Sequence, residues 1–191
     1  MEVEEGMTST RPCIGLLEYN SIGYGISATD QILKKARVKV IFAKPVCPGK
    51  YTVLFTGEVE DVKSSLRIGY EVAETSIVDE LFIPNVVPGV LAALNCATEV
   101  TSLDAVGVIE TFSCASGIIA ADIAAKTGRV ELIEIRLAMG IGGKSYVTFT
   151  GEVSDVRAAV TAGSRDPEER GLLASKIVIP KPHPDMLSIL L

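Results

Sequence analysis

Apolar and polar positions along the chain fall into stretches that recur in a fixed order. "IGLLEY" (Ile14–Tyr19) and "VGVIET" (Val106–Thr111) read as strands with alternating apolar positions. Each runs into a longer stretch whose apolar residues recur at helical spacing. A second strand follows in each case ("VKVIFAK" from Val38, "VELIEIRL" from Val130), then a glycine-containing turn, then a third strand ("YTVLFTGEV" from Tyr51, "YVTFTGEV" from Tyr146). The segments Asp61–Glu74 and Asp155–Ala162 predict helices with the aspartate as cap. A last strand in each half ends in a proline-spaced segment that opens a short helix. Strand–helix–strand–strand–helix–strand is the ferredoxin-like order, an α/β (α+β) arrangement.

The order recurs because the chain is written twice. "CIGLLEYNSIGYGISATDQILKKARVKV" from Cys13 lies over "AVGVIETFSCASGIIAADIAAKTGRVEL" from Ala105. Gly15 then matches Gly107, Glu18 matches Glu110, Ser21 matches Ser113, Asp30 matches Asp122 and Lys34 matches Lys126. "GKYTVLFTGEVEDV" from Gly49 lies over "GKSYVTFTGEVSDV" from Gly143, and "FIPNVVPGVL" from Phe82 over "VIPKPHPDML" from Val178. The register slips by two residues at two places, both where loops are expected. Matched blocks in the same order establish a duplication. The boundary falls near Asn95–Asp104, giving a first domain over 12–95 and a second over 104–191.

Composition narrows the function. With 191 residues, 48% of them hydrophobic and no tryptophan, the chain carries more aliphatic surface than its own core requires, which points to burial between subunits. Its longest apolar stretches are broken by Asp79, Glu80, Pro84 and Pro88, short of the roughly 20 residues a membrane helix needs. The start, "MEVEEGMTSTRP", is acidic, the reverse of a secretory signal, and residues 1–11 are expected to form a disordered tail. A net charge of −6 speaks against nucleic acid as a partner.

The four cysteines, Cys13, Cys47, Cys96 and Cys114, include no CxxC pair, which excludes a zinc ribbon or a single-chain ferredoxin motif. Cys13, Cys96 and Cys114 read as small buried hydrophobes. Cys47 stands apart, beside a Pro-Gly turn in "KPVCPGKY". "GIGGKS" (Gly140–Ser145) lies between two strands and does not open a helix, so it is a tight turn and not a phosphate loop. Lys50 and Lys144 read equally as solvated loop lysines or as attractors of anions. Glu58 and Glu152 reflect the duplication. The sole histidine, His183, has no acid or nucleophile beside it in sequence. Neither a triad, an HExxH nor a dinucleotide fingerprint is present, so an enzyme is not expected.

Taken together, "GLLEYNSI" and "GVIETFSCA", the Asp30–Lys34 and Asp122–Lys126 spacings, the two "GEVxDV" segments and "IPKPHPDML" resemble tandem-domain bacterial microcompartment shell proteins. "VCPGK" in the first copy and "GIGGK" in the second are similar to the iron–sulfur-carrying branch of that family, associated with propanediol utilisation. The resemblance implies two tandem microcompartment domains per chain, a homotrimer that imitates a hexamer, and tiles that join other shell proteins edge to edge in a cytoplasmic bacterial compartment. It implies that Cys47, Pro48, Gly49 and Lys50 face the central axis from the first domain, and Ile141, Gly142, Gly143 and Lys144 from the second, lining a pore. Lys34 and Lys126 match the family's edge lysine. Lys181 and His183 match its basic edge segment, with lysine in place of an arginine, which cannot make the same bidentate contact.

On a threefold axis one cysteine becomes three. The expectation is one [4Fe–4S] cluster per trimer, held by three Cys47 thiolates, with one iron not bound by cysteine. Pro48 and Gly49 would shape the turn, and its backbone N–H groups are candidate donors to cluster sulfur. The function expected is electron transfer across the shell, with redox enzymes of the lumen as partners and neither nucleic acid nor membrane involved. The alternatives are a cofactor-free tile with a metabolite pore, an iron–sulfur delivery site, and, outside the shell family, a ferredoxin-like small-molecule sensor.

Overall fold

A computed structural model describes residues 12–190. The first half contains β1 (Cys13–Tyr19), α1 (Ile22–Lys35), β2 (Val38–Val46), β3 (Lys50–Gly57), α2 (Val59–Val72), β4 (Ile77–Ile83) and α3 (Pro88–Leu94). The second contains β5 (Ala105–Thr111), α4 (Cys114–Thr127), β6 (Val130–Leu137), β7 (Ser145–Gly151), α5 (Val153–Glu169), β8 (Leu173–Ile179) and α6 (Met186–Leu190). The expected tail, 1–11, lies outside the described residues.

Each half forms a four-stranded sheet, ordered β2-β3-β1-β4 and β6-β7-β5-β8, with every neighbouring pair antiparallel. This is the ferredoxin-like interleaving expected from the element order. Even the irregularities recur. Pairing shifts after Glu18 in β1 and after Glu110 in β5, and again between Val40 and Phe42 and between Leu132 and Glu134. A bulge placed identically in both copies is an inherited feature of the fold.

Helix starts follow local chemistry. Ser21 and Ser113 cap α1 and α4, their hydroxyls accepting the N–H of Tyr24 at 3.4 Å and of Ser116 at 3.1 Å. The expected aspartate caps of α2 and α5 are corrected. Glu58 and Glu152 hold the cap positions without a side-chain bond, while Asp61 and Asp155 sit inside the first turn. There they still complement the positive end of the helix. Helix α5 runs on from that first segment to Glu169, with Pro167 inside it.

The strand expected to alternate does not. All seven residues of β1 are buried, because α1 and α2 cover one face and elements of the second domain cover the other. Leu16, Leu54, Leu81 and Val90 of the first domain share one core with Ile109, Ile118 and Phe149 of the second. The linker is tied down as well: Thr98 Oγ1 donates to the Ile133 carbonyl at 2.8 Å. The two halves are therefore joined by a continuous apolar interior.

Candidate functional site: paired turns and the seam between domains

The turn between β2 and β3 is short, only Cys47–Gly49, and closes with Gly49 N–H donating to the Val46 carbonyl at 3.0 Å. Gly49 has φ +89°, a conformation for which glycine is the natural residue. The corresponding turn between β6 and β7 is longer, Ala138–Lys144, and holds Gly140, Gly142 and Gly143 at positive φ. Its ends are tied by Ala138 N–H to the Lys144 carbonyl at 2.8 Å.

The two turns touch. A Cβ added to Gly143 would lie 2.7 Å from the Cys47 carbonyl oxygen and 2.7 Å from Pro48 Cδ, so the absence of a side chain there permits the contact. Cys47 itself is partly exposed. The structure thus brings Cys47 and Pro48 against Gly143. Gly49 N–H, a candidate donor to cluster sulfur, is already taken up by Val46.

Lys50 is not a solvated loop lysine. Its ammonium donates to the buried Glu18 Oε1 and approaches the Gly143 carbonyl at 3.4 Å. Glu18 Oε2 in turn accepts the backbone N–H of Cys114, the first residue of α4, at 2.8 Å. A buried carboxylate is thereby satisfied by one cation and one helix N-terminus. Burial first, and the Glu18 carboxylate second, push the Cys114 thiol up to about 12.

A second cluster crosses the same seam. Asp79 on β4 accepts from the hydroxyls of Ser113 and Ser116, the latter at 3.1 Å, and from the Arg170 guanidinium at the end of α5. The hydrogen bond to Asp79 is the main reason the guanidinium titrates above its ordinary range. A third contact is Val87 N–H donating to Asp122 at 2.9 Å, with Lys126 Nζ on the other oxygen at 2.5 Å. Glu18, Asp79, Arg170 and Asp122 were not singled out from sequence as seam residues. The available signal was a glutamate repeated inside two otherwise apolar strands, since a charge kept in a buried strand needs a partner.

In the second copy, Glu110 pairs with Lys144 at 2.6 Å and accepts from Ser175 Oγ at 3.0 Å. The Lys144 bond, aided by Ser175 and opposed by partial burial, holds the Glu110 carboxyl below its ordinary range. Both turn lysines are therefore paired to the matched glutamates, which corrects their reading as free attractors of anions. Ile141 and Gly142 lie at the tip of the longer turn.

The expected edge residues lie elsewhere. Lys34 sits on the exposed end of α1, bonded to Asp30 at 2.6 Å, and Lys126 on α4. Lys181 and His183 are exposed after β8, with His183 Nδ1 3.4 Å from Asp185. Cys13 and Cys114 are buried as expected. Cys96 is not: it follows α3 at φ +51° with its side chain in solvent, because the linker runs over the surface of the second sheet. Among the described residues no group of three His, Cys, Asp or Glu side chains in one chain could hold a metal ion, and no helix is long and apolar enough to cross a membrane.

The BMC domain model matches twice, over residues 13–86 and 105–182. The chain belongs to the BMC domain family. This BMC-domain chain is 42% identical over 173 residues to the bacterial microcompartment shell protein PduT of Citrobacter freundii, covering 91% of this chain and 94% of that one. The microcompartment shell protein EutM of Salmonella typhimurium is 36% identical over 84 residues, 44% of this chain and 85% of its own. Among solved structures, a microcompartments protein from Desulfitobacterium hafniense DCB superposes with a TM-score of 0.84 at 54% identity, covering 94% of this chain and 99% of that one. The fused permuted hexameric shell protein MSM0275 of the RMM microcompartment shares the fold, at a TM-score of 0.62 and 18% identity over 88% of this chain and 87% of that one. The matched stretches leave residues 87–104 between them, and the chain is a structural shell protein of the bacterial microcompartment class, like its relatives.

Proposed function

We propose that this shell protein closes into a homotrimer in which first and second domains alternate around a threefold axis, and that three Cys47 thiolates hold one [4Fe–4S] cluster there. The observation that carries the reading is the Cys47 turn: partly exposed, where the two domains meet, with its carbonyl resting on Gly143 of the second turn. One chain supplies a single thiol at that place, so a cysteine-bound cluster must draw thiols from several copies. Three thiolates suit a cubane cluster with one iron left for water, a small molecule or a residue of another protein. When bound, the cluster supplies electron transfer. The chain's own residues set its surroundings: Pro48 and Gly49 hold the thiol at the tip of the turn, and Lys50 is kept from it by Glu18.

In this reading the trimer is a tile in the shell of a cytoplasmic bacterial microcompartment. Lys34, Lys126, Lys181 and His183 serve contacts with neighbouring shell proteins, and redox enzymes of the lumen are the electron partners. The test is iron and acid-labile sulfide in anaerobically purified protein, measured with native mass. About four of each per trimer, lost in Cys47→Ser, supports the cluster. Neither iron nor sulfide after reconstitution overturns it and leaves a cofactor-free tile whose two turns line a metabolite pore. Loss of an intact cluster to an acceptor protein without a redox change would assign delivery in place of electron transfer.

A further inference from the structure

Cys96 stands between two clefts where the linker crosses the second sheet. One, of about 370 Å³, lies between the linker, β6, β7 and α6, with Thr98, Tyr146 and Ile189 in its wall. The other, of about 400 Å³, lies between β2, the end of α3 and β6, with Lys44 and Asn95 in its wall. Cys96, Glu134 and Arg136 border both. The thiol is exposed and its backbone is held: Cys96 N–H donates to the Ala93 carbonyl at 3.4 Å and Ala97 N–H to the Ala92 carbonyl at 3.0 Å. Helices that close in this way usually place glycine at the left-handed position, yet here a cysteine occupies it at φ +51°.

Each cleft carries a cation. Arg136 is paired with Glu134 at 2.5 Å and lies over the Tyr146 ring, while Tyr146 donates its phenol proton to the other Glu134 oxygen at 2.6 Å. The Glu134 hydrogen bond first, then Tyr146 and, more weakly, Cys96 raise the Arg136 guanidinium above its ordinary range, so the thiol lies within reach of that charge. Across the thiol, Lys44 is exposed, its ammonium 5.0 Å from the centre of the Phe42 ring. Thr148 supplies an independent pointer. It pairs with Glu134 across β6 and β7, two residues from Tyr146, which places its hydroxyl on the face that floors the first cleft. Thr148 is 3% exposed, and its hydroxyl has no hydrogen-bond partner among the described residues. Buried hydroxyls are almost always bonded, so its partner has to come from outside the chain.

We infer that Cys96 is a modification site for low-molecular-weight disulfides whose halves carry carboxylates, with Arg136 taking one carboxylate, Lys44 another, and the Thr148 hydroxyl a polar group of the molecule seated in the first cleft. The step is thiol–disulfide exchange. The Cys96 thiolate attacks one sulfur of the disulfide, a new sulfur–sulfur bond forms to Cys96, and the old one breaks. The bonding electron pair leaves with the departing thiolate, which takes up the proton that Cys96 released. Cys96 is oxidised and the departing half is reduced, so the disulfide is the only oxidant required. The site is separate from the Cys47 turn and does not depend on a cluster. A mixed disulfide there places added negative charge on the surface shared by the linker and both domains.

The test uses the full chain with Cys47→Ser, in which Cys96 is the exposed thiol while Cys13 and Cys114 stay buried. The protein is treated with oxidised glutathione or with the neutral hydroxyethyl disulfide, and adducts are followed by intact mass and located by peptide mass. The adduct should form at Cys96 and vanish in Cys96→Ser. With each rate normalised to that of free cysteine, oxidised glutathione should react faster than the neutral disulfide by about tenfold or more, the scale of electrostatic focusing in a charged cleft. Arg136→Gln and Lys44→Gln should each lower that ratio, as should added salt, with unchanged circular dichroism. Thr148→Val should lower it too and leave the neutral reaction alone, whereas a hydroxyl with no part in binding predicts an unchanged ratio. No adduct at Cys96, a ratio near one, or a ratio that neither cation variant moves overturns the site and leaves Cys96 an ordinary exposed thiol. A ratio that falls in the cation variants but not in Thr148→Val overturns the part assigned to the hydroxyl alone.

Discussion

Glu18 of the first domain accepts the backbone N–H of Cys114 in the second, 96 residues away, at 2.8 Å. The same carboxylate holds Lys50 beside the Cys47 turn. One buried side chain therefore links the start of a helix, the register of two domains and the base of the candidate axial turn.

Glu18→Ala should destabilise the chain by about 3–5 kcal/mol, because it leaves the Lys50 ammonium and the Cys114 N–H without their partner in a dry seam. Glu18→Gln should cost less, since an amide oxygen can still accept the Cys114 N–H. Denaturant midpoints of the two variants and wild type check this. Equal, small losses in both would show that the carboxylate is not the joint.

The turns make a paired prediction about glycine. Gly49→Ala and Gly143→Ala both place a side chain at positive φ, a strain of about 1–2 kcal/mol. At Gly49 nothing lies within 4 Å of the new Cβ, whereas at Gly143 it meets the Cys47 carbonyl at 2.7 Å. Gly143→Ala should therefore lose more stability and also change the rate at which the Cys47 thiol reacts with a disulfide reagent. If both variants behave alike, the two turns do not bear on each other.

The duplication, the element order and the place of the two turns were legible in the sequence because each is a local pattern written twice. The partners of those patterns were not. Nothing near Glu18 in sequence names Cys114, and nothing near Asp79 names Arg170, since both bonds cross the seam. The aspartate caps were misplaced because Asp61 and Asp155 stabilise a first turn almost as readily as they cap it. Cys96 was misjudged because the burial habit of cysteine is an average, and the linker here lies on the surface of a sheet. Continuous burial of β1 was hidden for a related reason: its second cover comes from the other domain.

Four cysteines in two environments give a thiol count. In folded, metal-free protein at pH 8, a disulfide reagent should titrate Cys47 and Cys96, while Cys13 and Cys114 react only after denaturation. Burial hides both of the latter and raises both thiols, Cys114 to about 12. On the proposed reading, iron loading should remove one more thiol from the count, leaving Cys96 alone. An unchanged count after loading would exclude Cys47 as the ligand.

Acid should act on Glu110. Its carboxyl is held below the usual range chiefly by Lys144, so the folded chain binds that proton more weakly than the unfolded chain. The associated stability is present above the ordinary glutamate value of about 4.3 and is lost as the pH falls through the lower folded value. Stability of wild type and Glu110→Gln should thus differ at neutral pH and converge in acid. The gap should be small because the pair is open to water. Denaturant midpoints from pH 7 down to pH 3 provide the check, and a gap that widens in acid would reverse the assignment.

Two unlike turns on a single chain, one carrying a thiol and the other, rich in glycine, carrying none, have a consequence for stoichiometry. In any closed ring of such chains the turns must alternate, and their ratio cannot drift with expression level or subunit mixing. A ring of six identical single domains could offer six thiols or none. Covalent fusion instead dictates an odd number in a ring of three, with a glycine spacer between each thiol and the next.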